Sequence, residues 1–203
     1  METDEFFTIA QPSEGSYKEK GSKFLSFAFP VESEQEAKDR IKELRNKYHD
    51  ARHHCYAYLL GQKTDTYRMN DDGEPSSTAG KPIFGQIRSH NLTNVLIVVT
   101  RYFGGTLLGT SGLIRAYKSA ADDALKNAEI IKKTIRSFYQ VSFDYSLMGS
   151  VEKVLHDMNI RPWDKTFEAA CIYKIGIRKS REQKLLEQLN QINGLDFSKI
   201  EAP

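Results

Sequence analysis

The segment from Asn94 to Tyr117, NVLIVVTRYFGGTLLGTSGLIRAY, limits the possible fold more than any other part of the chain. It predicts a buried strand over residues 95–99, then a glycine-rich loop, then a helix that begins near Leu113. We call residues 103–112 the glycine loop. Its glycines are Gly104, Gly105, Gly109 and Gly112. Glycine permits left-handed backbone and close approach of other groups, and a helix N-terminus beyond such a loop favours bound anions.

The composition is typical of a soluble globular protein, and 203 residues are enough for one large or two small domains. No apolar run approaches the roughly 20 residues that span a bilayer, and the acidic N-terminus lacks the features of a signal peptide. The two cysteines, Cys55 and Cys171, form neither a CxxC metal motif nor a disulfide framework. We therefore expect a cytoplasmic protein that makes no membrane contact.

The charge balance argues against a protein that binds nucleic acid through a uniformly basic surface. The chain carries 29 lysines and arginines against 27 aspartates and glutamates, which gives a formal net charge of +2. Domains that bind nucleic acid by charge alone are usually strongly basic. Any nucleic-acid contact must therefore come from a local basic patch.

The beginning of the chain predicts a hairpin followed by an amphipathic helix. The hairpin is expected over residues 16–31, with its bend at Gly21. Ser33 followed by Glu36 is a capping box, which marks the helix start. The helix has an apolar stripe formed by Ala37, Ile41, Leu44 and Tyr48.

The middle of the chain predicts two strands, an irregular loop and two helices. Strands are expected at 54–60 and 67–70, and the first of the helices ends near His90. Residues 71–82, DDGEPSSTAGKP, lie between the strands and this helix, and we call them the DDGEP loop. Its two prolines and two glycines oppose regular structure. The helix after the glycine loop is expected to bury one stripe, formed by Ile114, Tyr117, Ala121 and Leu125.

From Thr134 onward the pattern restarts as a second domain. Strand and helix patterns follow in the order β-α-β-β-α-β, over residues 135–145, 147–158, 160–166, 168–177, 185–192 and 195–197. This order is the ferredoxin-like plan. We therefore expect an α+β protein with residues 1–133 in one domain and residues 134–203 in the other. Trp163 is expected to anchor packing beneath the small sheet.

Four blocks of the sequence together resemble the IMPACT/YigZ family. They are KGSKFLSFAFPV (20–31), ARHHCYAYLLG (51–61), the DDGEP loop and VVTRYFGGTLLGTSGLIRAY (98–117). The blocks cover about residues 15–120, and the ferredoxin-like tail is similar to that of bacterial members. Ser77 and Ser111 depart from the family pattern, in which glycine is common at both positions.

The resemblance implies both a fold and a function. The first domain would be a two-layer α/β domain like the second domain of a small-subunit ribosomal protein. The second would be similar to ferredoxin-like domains of the translocation elongation factor. Eukaryotic relatives regulate translation by blocking the activation of a starvation-responsive initiation-factor kinase, and they use an additional N-terminal domain to bind partners. For bacterial members the resemblance implies nucleic-acid or ribosome binding.

The glycine loop comes close to a phosphate-binding Walker A motif. Residues 104–109 fit its GxxxxG part, but Thr110 stands where the motif has its lysine. Without that ammonium group a nucleotide hydrolase is disfavoured. Two interpretations stay open: a tight turn whose glycines serve packing alone, and a contact with an anion or an RNA backbone. Basic residues flank the loop and suit the second interpretation: Arg101, Arg115 and Lys118.

The acidic start of the DDGEP loop allows three interpretations. Its carboxylates brace the loop by accepting backbone hydrogen bonds, belong to a binding or catalytic cleft, or hold Mg²⁺. Bracing is favoured, because adjacent carboxylates on extended backbone rarely chelate one ion. If the DDGEP loop faced the glycine loop, Asp72 or Glu74 would serve as general base in a shared cleft. That cleft would hold Asp72, Glu74, Ser76, Thr78, Lys81 and Arg101.

A group of zinc-ligand residue types lies at the start of the predicted strand 54–60. It consists of His49, His53, His54 and Cys55. A complete zinc site needs three or four ligands in a defined geometry, and strand alternation turns His54 away from Cys55. We therefore expect a buried Cys55 in a strand-entry turn and no metal, with a Cys–His nucleophile pair as the remaining alternative.

Two basic clusters have weaker interpretations. The first lies at the hairpin, where Lys18, Lys20 and Lys23 suit RNA contact and a solvated strand edge equally well. The second lies where a strand passes into a helix, and it consists of Arg178, Lys179, Arg181 and Lys184. A solvated surface is favoured there over a partner site.

The leading hypothesis is a cytoplasmic, translation-associated regulatory protein that binds RNA, the ribosome or another polyanion and needs no cofactor. The sequence does not give the oligomeric state, and a monomer is favoured. Binding is expected at what we call the glycine-loop face. Its residues are Gly104, Gly105, Gly109, Arg101, Arg115, Lys118, Lys81, Ser76 and Thr78. One alternative is an enzyme acting on a phosphorylated small molecule in the cleft between the two loops. The other is a protein-interaction regulator of the starvation response.

Overall fold

The computed structural model describes residues 4–61 and 66–201. The chain divides into two compact units. One spans Phe6–Lys133, and the other contains residues 134–201 together with Asp4 and Glu5. We refer to them as the N-terminal unit and the C-terminal unit.

The N-terminal unit is built from seven strands and three helices among the described residues. The strands are β1 (Glu5–Ile9), β2 (Ser13–Glu19), β3 (Ser22–Pro30), β4 (His53–Leu60), β5 (Thr66–Asn70), β6 (Val95–Tyr102) and β7 (Ile130–Thr134). The helices are α1 (Glu34–Lys47), α2 (Gly80–Ser89) and α3 (Gly109–Lys126). The predicted hairpin is therefore β2–β3, with its turn at Lys20 and Gly21.

Five of these strands form one antiparallel sheet in the order β2-β3-β6-β4-β5, while β1 and β7 pair separately. Because neighbouring side chains point to opposite faces of a strand, the three central strands β3, β6 and β4 supply residues to two cores. Phe24 and Ile97 pack in the core with α2 and α3, whereas Phe27 and Val98 pack with α1. The α+β class is confirmed, and α1 adds a helical layer on the second face of the sheet.

The start of α1 follows the predicted capping signal in part. The Ser33 hydroxyl accepts a hydrogen bond from the Glu36 N–H at 3.1 Å. The Glu36 carboxylate accepts from the Glu32 N–H at 2.7 Å, one residue before the position that a capping box uses. Three residues of the predicted stripe are buried on α1: Ala37, Ile41 and Leu44.

Two helix starts were predicted too late. The DDGEP loop was expected to stay irregular to Pro82, but α2 begins at Gly80, because proline is tolerated in the first helical turn. Helix α3 begins at Gly109 rather than near Leu113. Its buried stripe is consequently shifted: Leu113 is buried, whereas Ile114, which was expected inside, is 39% exposed.

The C-terminal unit has the predicted ferredoxin-like plan. Its elements are β8 (Arg136–Phe143), α4 (Met148–Asp157), β9 (Asp164–Phe167), β10 (Cys171–Arg178), α5 (Glu182–Asn190) and β11 (Asp196–Ile200). The four antiparallel strands are ordered β11-β8-β10-β9. Asp4 is attached to this unit, since its backbone oxygen accepts a hydrogen bond from the Ile135 N–H at 2.6 Å.

Both helices of the C-terminal unit cover the same face of its sheet. Val141 and Ile175 point into a core that also contains Leu155 and Leu185 from the helices. The alternate residues of the strands form the opposite face, which we call the open face. Trp163 was expected beneath the sheet, but it is 42% exposed and packs edge-on against Phe138 with ring centroids 5.5 Å apart.

Candidate functional site

The first carboxylate of the DDGEP loop caps the helix that follows it. One oxygen of Asp71 accepts hydrogen bonds from the Ala79 N–H at 2.9 Å and the Gly80 N–H at 2.8 Å. Its other oxygen accepts from the Ser77 N–H at 2.9 Å. These donors are backbone groups that a helix start leaves unpaired. The geometry of Asp71 therefore agrees with the loop-bracing interpretation.

The second carboxylate joins the loop to α1 and β4. Asp72 accepts a hydrogen bond from the Arg45 guanidinium at 2.5 Å and another from the His54 N–H at 2.7 Å. Its backbone oxygen lies 2.7 Å from Nδ1 of His53, so that ring nitrogen carries the proton. A general base needs a free lone pair directed at its substrate. Asp72 instead has both oxygens engaged within the protein.

Glu74 brings the DDGEP loop to the end of β6 and to α3. Its side chain is only 4% exposed and its Oε1 accepts from the Arg101 guanidinium at 2.6 Å and the Tyr117 hydroxyl at 2.8 Å. Arg101 is itself buried and lies over the Phe24 ring. Arg101 therefore neutralises Glu74 inside the protein, and it is not an exposed cation of the glycine-loop face.

The predicted cleft between the two loops is assembled only in part. Glu74 meets Arg101, but the two form a closed ion pair. Thr78 is buried, and its hydroxyl donates to the Pro75 oxygen at 2.6 Å. Ser76 and Lys81 are exposed.

Cys55 lies beneath this network as a protonated thiol. Its sulfur is 3.0 Å from the backbone oxygen of Asp71 and 3.3 Å from the Tyr117 hydroxyl. Burial raises the pKa of both Cys55 and Tyr117 well above their ordinary values. His54 points to the other face of the sheet, where its Nε2 lies 3.1 Å from the Tyr48 oxygen. This arrangement gives no support to a Cys–His nucleophile pair, which needs a thiolate beside its base.

Metal ligation has no geometric basis in the described part of the chain. Residues 4–61 and 66–201 contain no group of three or more histidine, cysteine, aspartate or glutamate side chains placed to hold a metal ion. His53, His54 and Cys55 are directed to three different backbone oxygens. Over the same residues, no helix is long and apolar enough to cross a membrane.

The first glycine of the glycine loop is required for packing. A Cβ atom on Gly104 would lie 1.9 Å from the carbonyl carbon of Gly21, so only glycine fits against the hairpin turn. The Gly104 N–H donates to the Ser22 hydroxyl at 3.2 Å. This N–H is therefore used inside the protein, as the packing interpretation of the loop expects. Gly105 is open to solvent, and a Cβ there would meet nothing within 4 Å.

The last part of the glycine loop forms the first turn of α3 and leaves its N-terminus uncapped. Gly109 has a φ of +68°, which glycine adopts readily. Leu108 is at the N-cap position, where its side chain offers no acceptor to the first N–H groups of the helix, and the first turn contains no acidic residue. Thr110 and Ser111 are exposed there. Unpaired N–H groups with the positive end of a helix dipole are suited to an anion.

Contacts with the hairpin bring further basic residues to this helix. Arg115 is 62% exposed and forms an ion pair with Glu19 of β2, and this hydrogen bond lowers the pKa of Glu19. Lys18 and Lys20 flank Glu19 and are exposed. Lys118 is exposed one turn beyond Arg115 on α3. Because side chains alternate along β2, Lys18 points to the sheet face opposite to Glu19 and α3. Lys20, at the hairpin turn, lies close enough to Glu19 to act on its charge.

Sequence reasoning did not assign roles to Glu19, Ser22 or Tyr117. Each acts on a residue 43 to 96 positions away in the chain. Helical and strand periodicities report contacts within one element, so they carry no signal for such pairs.

Comparison with known proteins finds relatives in the same family that the four sequence blocks resemble. Residues 20–125 match the model of the Impact N-terminal domain. The IMPACT family member YvyE of Bacillus subtilis (strain 168) is 34% identical over 152 residues, which are 75% of this chain and 70% of that protein. The IMPACT family member YigZ of Escherichia coli (strain K12) is 29% identical over 182 residues, which are 89% of this chain and 87% of that protein.

A solved structure extends the similarity to the whole chain. The crystal structure of a hypothetical protein matches with a TM-score of 0.70 and 26% identity, over 99% of this chain and 100% of that chain. The match therefore includes the ferredoxin-like C-terminal unit as well as the N-terminal unit. The resemblance to the IMPACT/YigZ family is confirmed.

Proposed function

Because this chain belongs to the Impact N-terminal domain family, we propose that it is a cytoplasmic, translation-associated regulatory protein that binds RNA. The contact surface would be the glycine-loop face together with Lys20 at the hairpin turn, which packs against Gly104 through Gly21. RNA on the ribosome or another polyanion would use the same chemistry, because all of them present rows of negative charge.

The uncapped N-terminus of α3 is the observation that carries this proposal. Helix α2 has its first N–H groups occupied by Asp71, whereas α3 has neither a capping side chain nor an acidic first turn. A phosphate group would supply the missing acceptors. Since the Gly104 N–H is directed to Ser22, we assign phosphate contact to the backbone around Gly105 and Gly109.

Exposed cations at the hairpin turn and along α3 would supply the rest of the affinity. Lys20 follows Glu19 at the hairpin turn, and Lys118 lies one turn beyond Arg115 on α3. Arg115 is bound to Glu19 without RNA, so it would become available only if a phosphate displaced that carboxylate. Arg101 has a structural role in this proposal, because its charge is paired with Glu74 in the interior.

Binding of labelled tRNA by the full chain, measured by fluorescence anisotropy from 50 to 200 mM KCl, tests the proposal. The Lys20→Gln/Lys118→Gln variant should bind more weakly and have a salt slope shallower by about 0.7–0.9 for each lysine removed. Ser111→Glu should also weaken binding, because it places a carboxylate at the end of α3 where phosphate is expected. The same charge stabilises a helix start by about 0.3–1 kcal/mol, so unfolding is not the cause.

The matched control is Lys42→Gln/Arg88→Gln, which removes the same charge from exposed positions on α1 and α2. It should bind as the unmodified protein does. Absence of tRNA binding at 50 mM KCl contradicts the proposal. Capture of a protein partner that resists nuclease and is weakly salt-dependent would favour the starvation-response alternative. Turnover of a phosphorylated small molecule that Asp72→Asn abolishes would favour the enzyme.

A further inference from the structure

A concave, arginine-rich notch lies at the end of β10 in the C-terminal unit. It encloses a cavity of about 370 Å³, lined by Arg136, Asn159, Ile160, Arg161 and Gly176. An adjoining cavity of about 210 Å³ shares most of these residues and adds others, among them Arg178 and Arg181. We call these two connected cavities the arginine notch. Its larger part is within the size range of ligand pockets, about 300–1,000 Å³.

The charges in the arginine notch are unbalanced. Arg136 and Arg178 are directly opposite each other in the β8–β10 ladder, an arrangement that destabilises a sheet when both residues carry the same charge. Arg178 lies 3.4 Å from Glu5. Over residues 4–61 and 66–201, Arg136, Arg161 and Arg181 form no ion pair with an acidic side chain. A concave surface of one charge attracts counter-ions, and guanidinium groups match phosphate in two-pronged hydrogen bonds.

An aromatic surface borders the notch on the open face of the sheet. Phe138 is opposite Gly176 in the ladder, and a Cβ on that glycine would lie 3.0 Å from the Phe138 ring. The missing side chain therefore allows Phe138 and Trp163 to pack together over β10, with their rings at 80°. Trp163 remains 42% exposed. Partly exposed aromatic rings beside basic groups are how proteins hold unpaired bases and their phosphates.

We propose that the arginine notch binds single-stranded RNA, with a phosphate held by Arg136 and Arg161 and the neighbouring base stacked on Trp163. Phosphate alone would use the arginines and leave the aromatic surface without a role. An acidic peptide would also satisfy the charges, but its carboxylates lack a flat base to stack. This site lies in the C-terminal unit and is distinct from the glycine-loop face, so either proposal can fail without the other.

Trp163 is the single tryptophan of the chain, so intrinsic fluorescence reports on this site directly. We would titrate the full chain with a single-stranded eight-nucleotide RNA at 50 mM KCl. Stacking of a base should quench the fluorescence of Trp163. The Arg136→Gln/Arg161→Gln variant should weaken this titration about 10-fold or more, with a salt slope shallower by about 0.7 for each phosphate that is no longer neutralised.

The aromatic contribution is tested with labelled RNA, because the variants change the intrinsic signal. Trp163→Leu should lower the affinity about 5- to 150-fold, the range expected when one base can no longer stack. Trp163→Phe keeps an aromatic ring and should retain most of the affinity. The matched control Lys153→Gln/Lys184→Gln removes two charges from exposed positions on α4 and α5, and it should leave the titration unchanged.

Heparin, inorganic phosphate and single-stranded DNA of the same sequence separate the contributions. Heparin and phosphate have no bases, so binding without quenching is the expected result for both. Equal quenching by heparin and RNA, or RNA binding that leaves Trp163 fluorescence and the arginine variants unaffected, overturns the proposal. Single-stranded DNA that binds equally well shows that the 2′-hydroxyl is not read, and it overturns the assignment to RNA. Lys20→Gln/Lys118→Gln should not alter the quenching, which separates this site from the glycine-loop face.

Discussion

The DDGEP loop and the glycine loop each lead from a strand into a helix, but they differ in how the N-terminus of that helix is capped. Both follow a strand, both contain glycines, and the final residues of each form the first turn of a helix. In the DDGEP loop the carboxylates are hydrogen-bonded within the protein: Asp71 caps α2, and Glu74 is buried in an ion pair with Arg101. The glycine loop leaves the end of α3 uncapped and exposed.

The difference shows how a loop used for stability is distinguished from one available for binding. Both loops attract a functional interpretation at the level of sequence, one for its carboxylates and the other for its glycines. A polar group that is already hydrogen-bonded in the interior must break that bond before it can contact a ligand. Glu74 and Asp71 therefore belong to the framework, whereas the N–H groups at the start of α3 receive no cap from a side chain at the N-cap position.

Removing the Glu74 carboxylate should have the largest effect, and it tests whether the DDGEP loop stabilises the fold. Glu74→Ala leaves the buried Arg101 without a counter-charge, which is expected to cost about 3–5 kcal/mol of unfolding free energy. Urea unfolding followed by far-ultraviolet circular dichroism measures the change. Glu14→Ala, at an exposed position on β2, should stay within about 0.5 kcal/mol of the unmodified protein. Equal behaviour of the two variants would show that the ion pair is not structural.

Removing the cap of α2 makes its N-terminus like that of α3. Asp71→Ala leaves the Ser77, Ala79 and Gly80 N–H groups without their acceptor, and we expect a decrease of about 1–2 kcal/mol in the same assay. Asp71→Asn keeps one acceptor oxygen and should be less destabilised. If α2 had no need of this cap, Asp71→Ala and Asp71→Asn would unfold at the same urea concentration.

The smallest effect is expected at Ser77, and it should be stabilising. Ser77 has a φ of +64°, a left-handed conformation that glycine adopts without steric cost. Ser77→Gly should therefore raise the unfolding free energy by about 0.5–1 kcal/mol. Ser76 has no such φ, so Ser76→Gly should be neutral or destabilising. A decrease of stability in Ser77→Gly would mean that the left-handed backbone stores no strain.

Sequence patterns predicted most elements because those patterns act within one helix or strand. The capping signal at Ser33 followed from the Ser-x-x-Glu motif, and the stripe of α1 followed from the 3.6-residue spacing. The ferredoxin-like order followed from the alternation of strand and helix patterns. The start of α3 was misjudged because glycines at the beginning of a helix look like loop residues. The position of Trp163 was predicted wrongly because a sequence pattern does not show on which face of the sheet an aromatic ring packs. In the fold Trp163 packs against Phe138 on the open face.

The sequence by itself determined the family, the α+β class and the two loops considered as functional sites, the DDGEP loop and the glycine loop. Local periodicity and characteristic blocks are properties of neighbouring residues, so they survive without any knowledge of the fold. The tertiary structure decided which of those residues are free. Pairs such as Arg101 with Glu74 and Arg115 with Glu19 join residues far apart in the chain. Whether such a charged side chain is paired depends on which residue from a distant part of the chain the fold places beside it. A pattern of neighbouring residues carries no information about that partner.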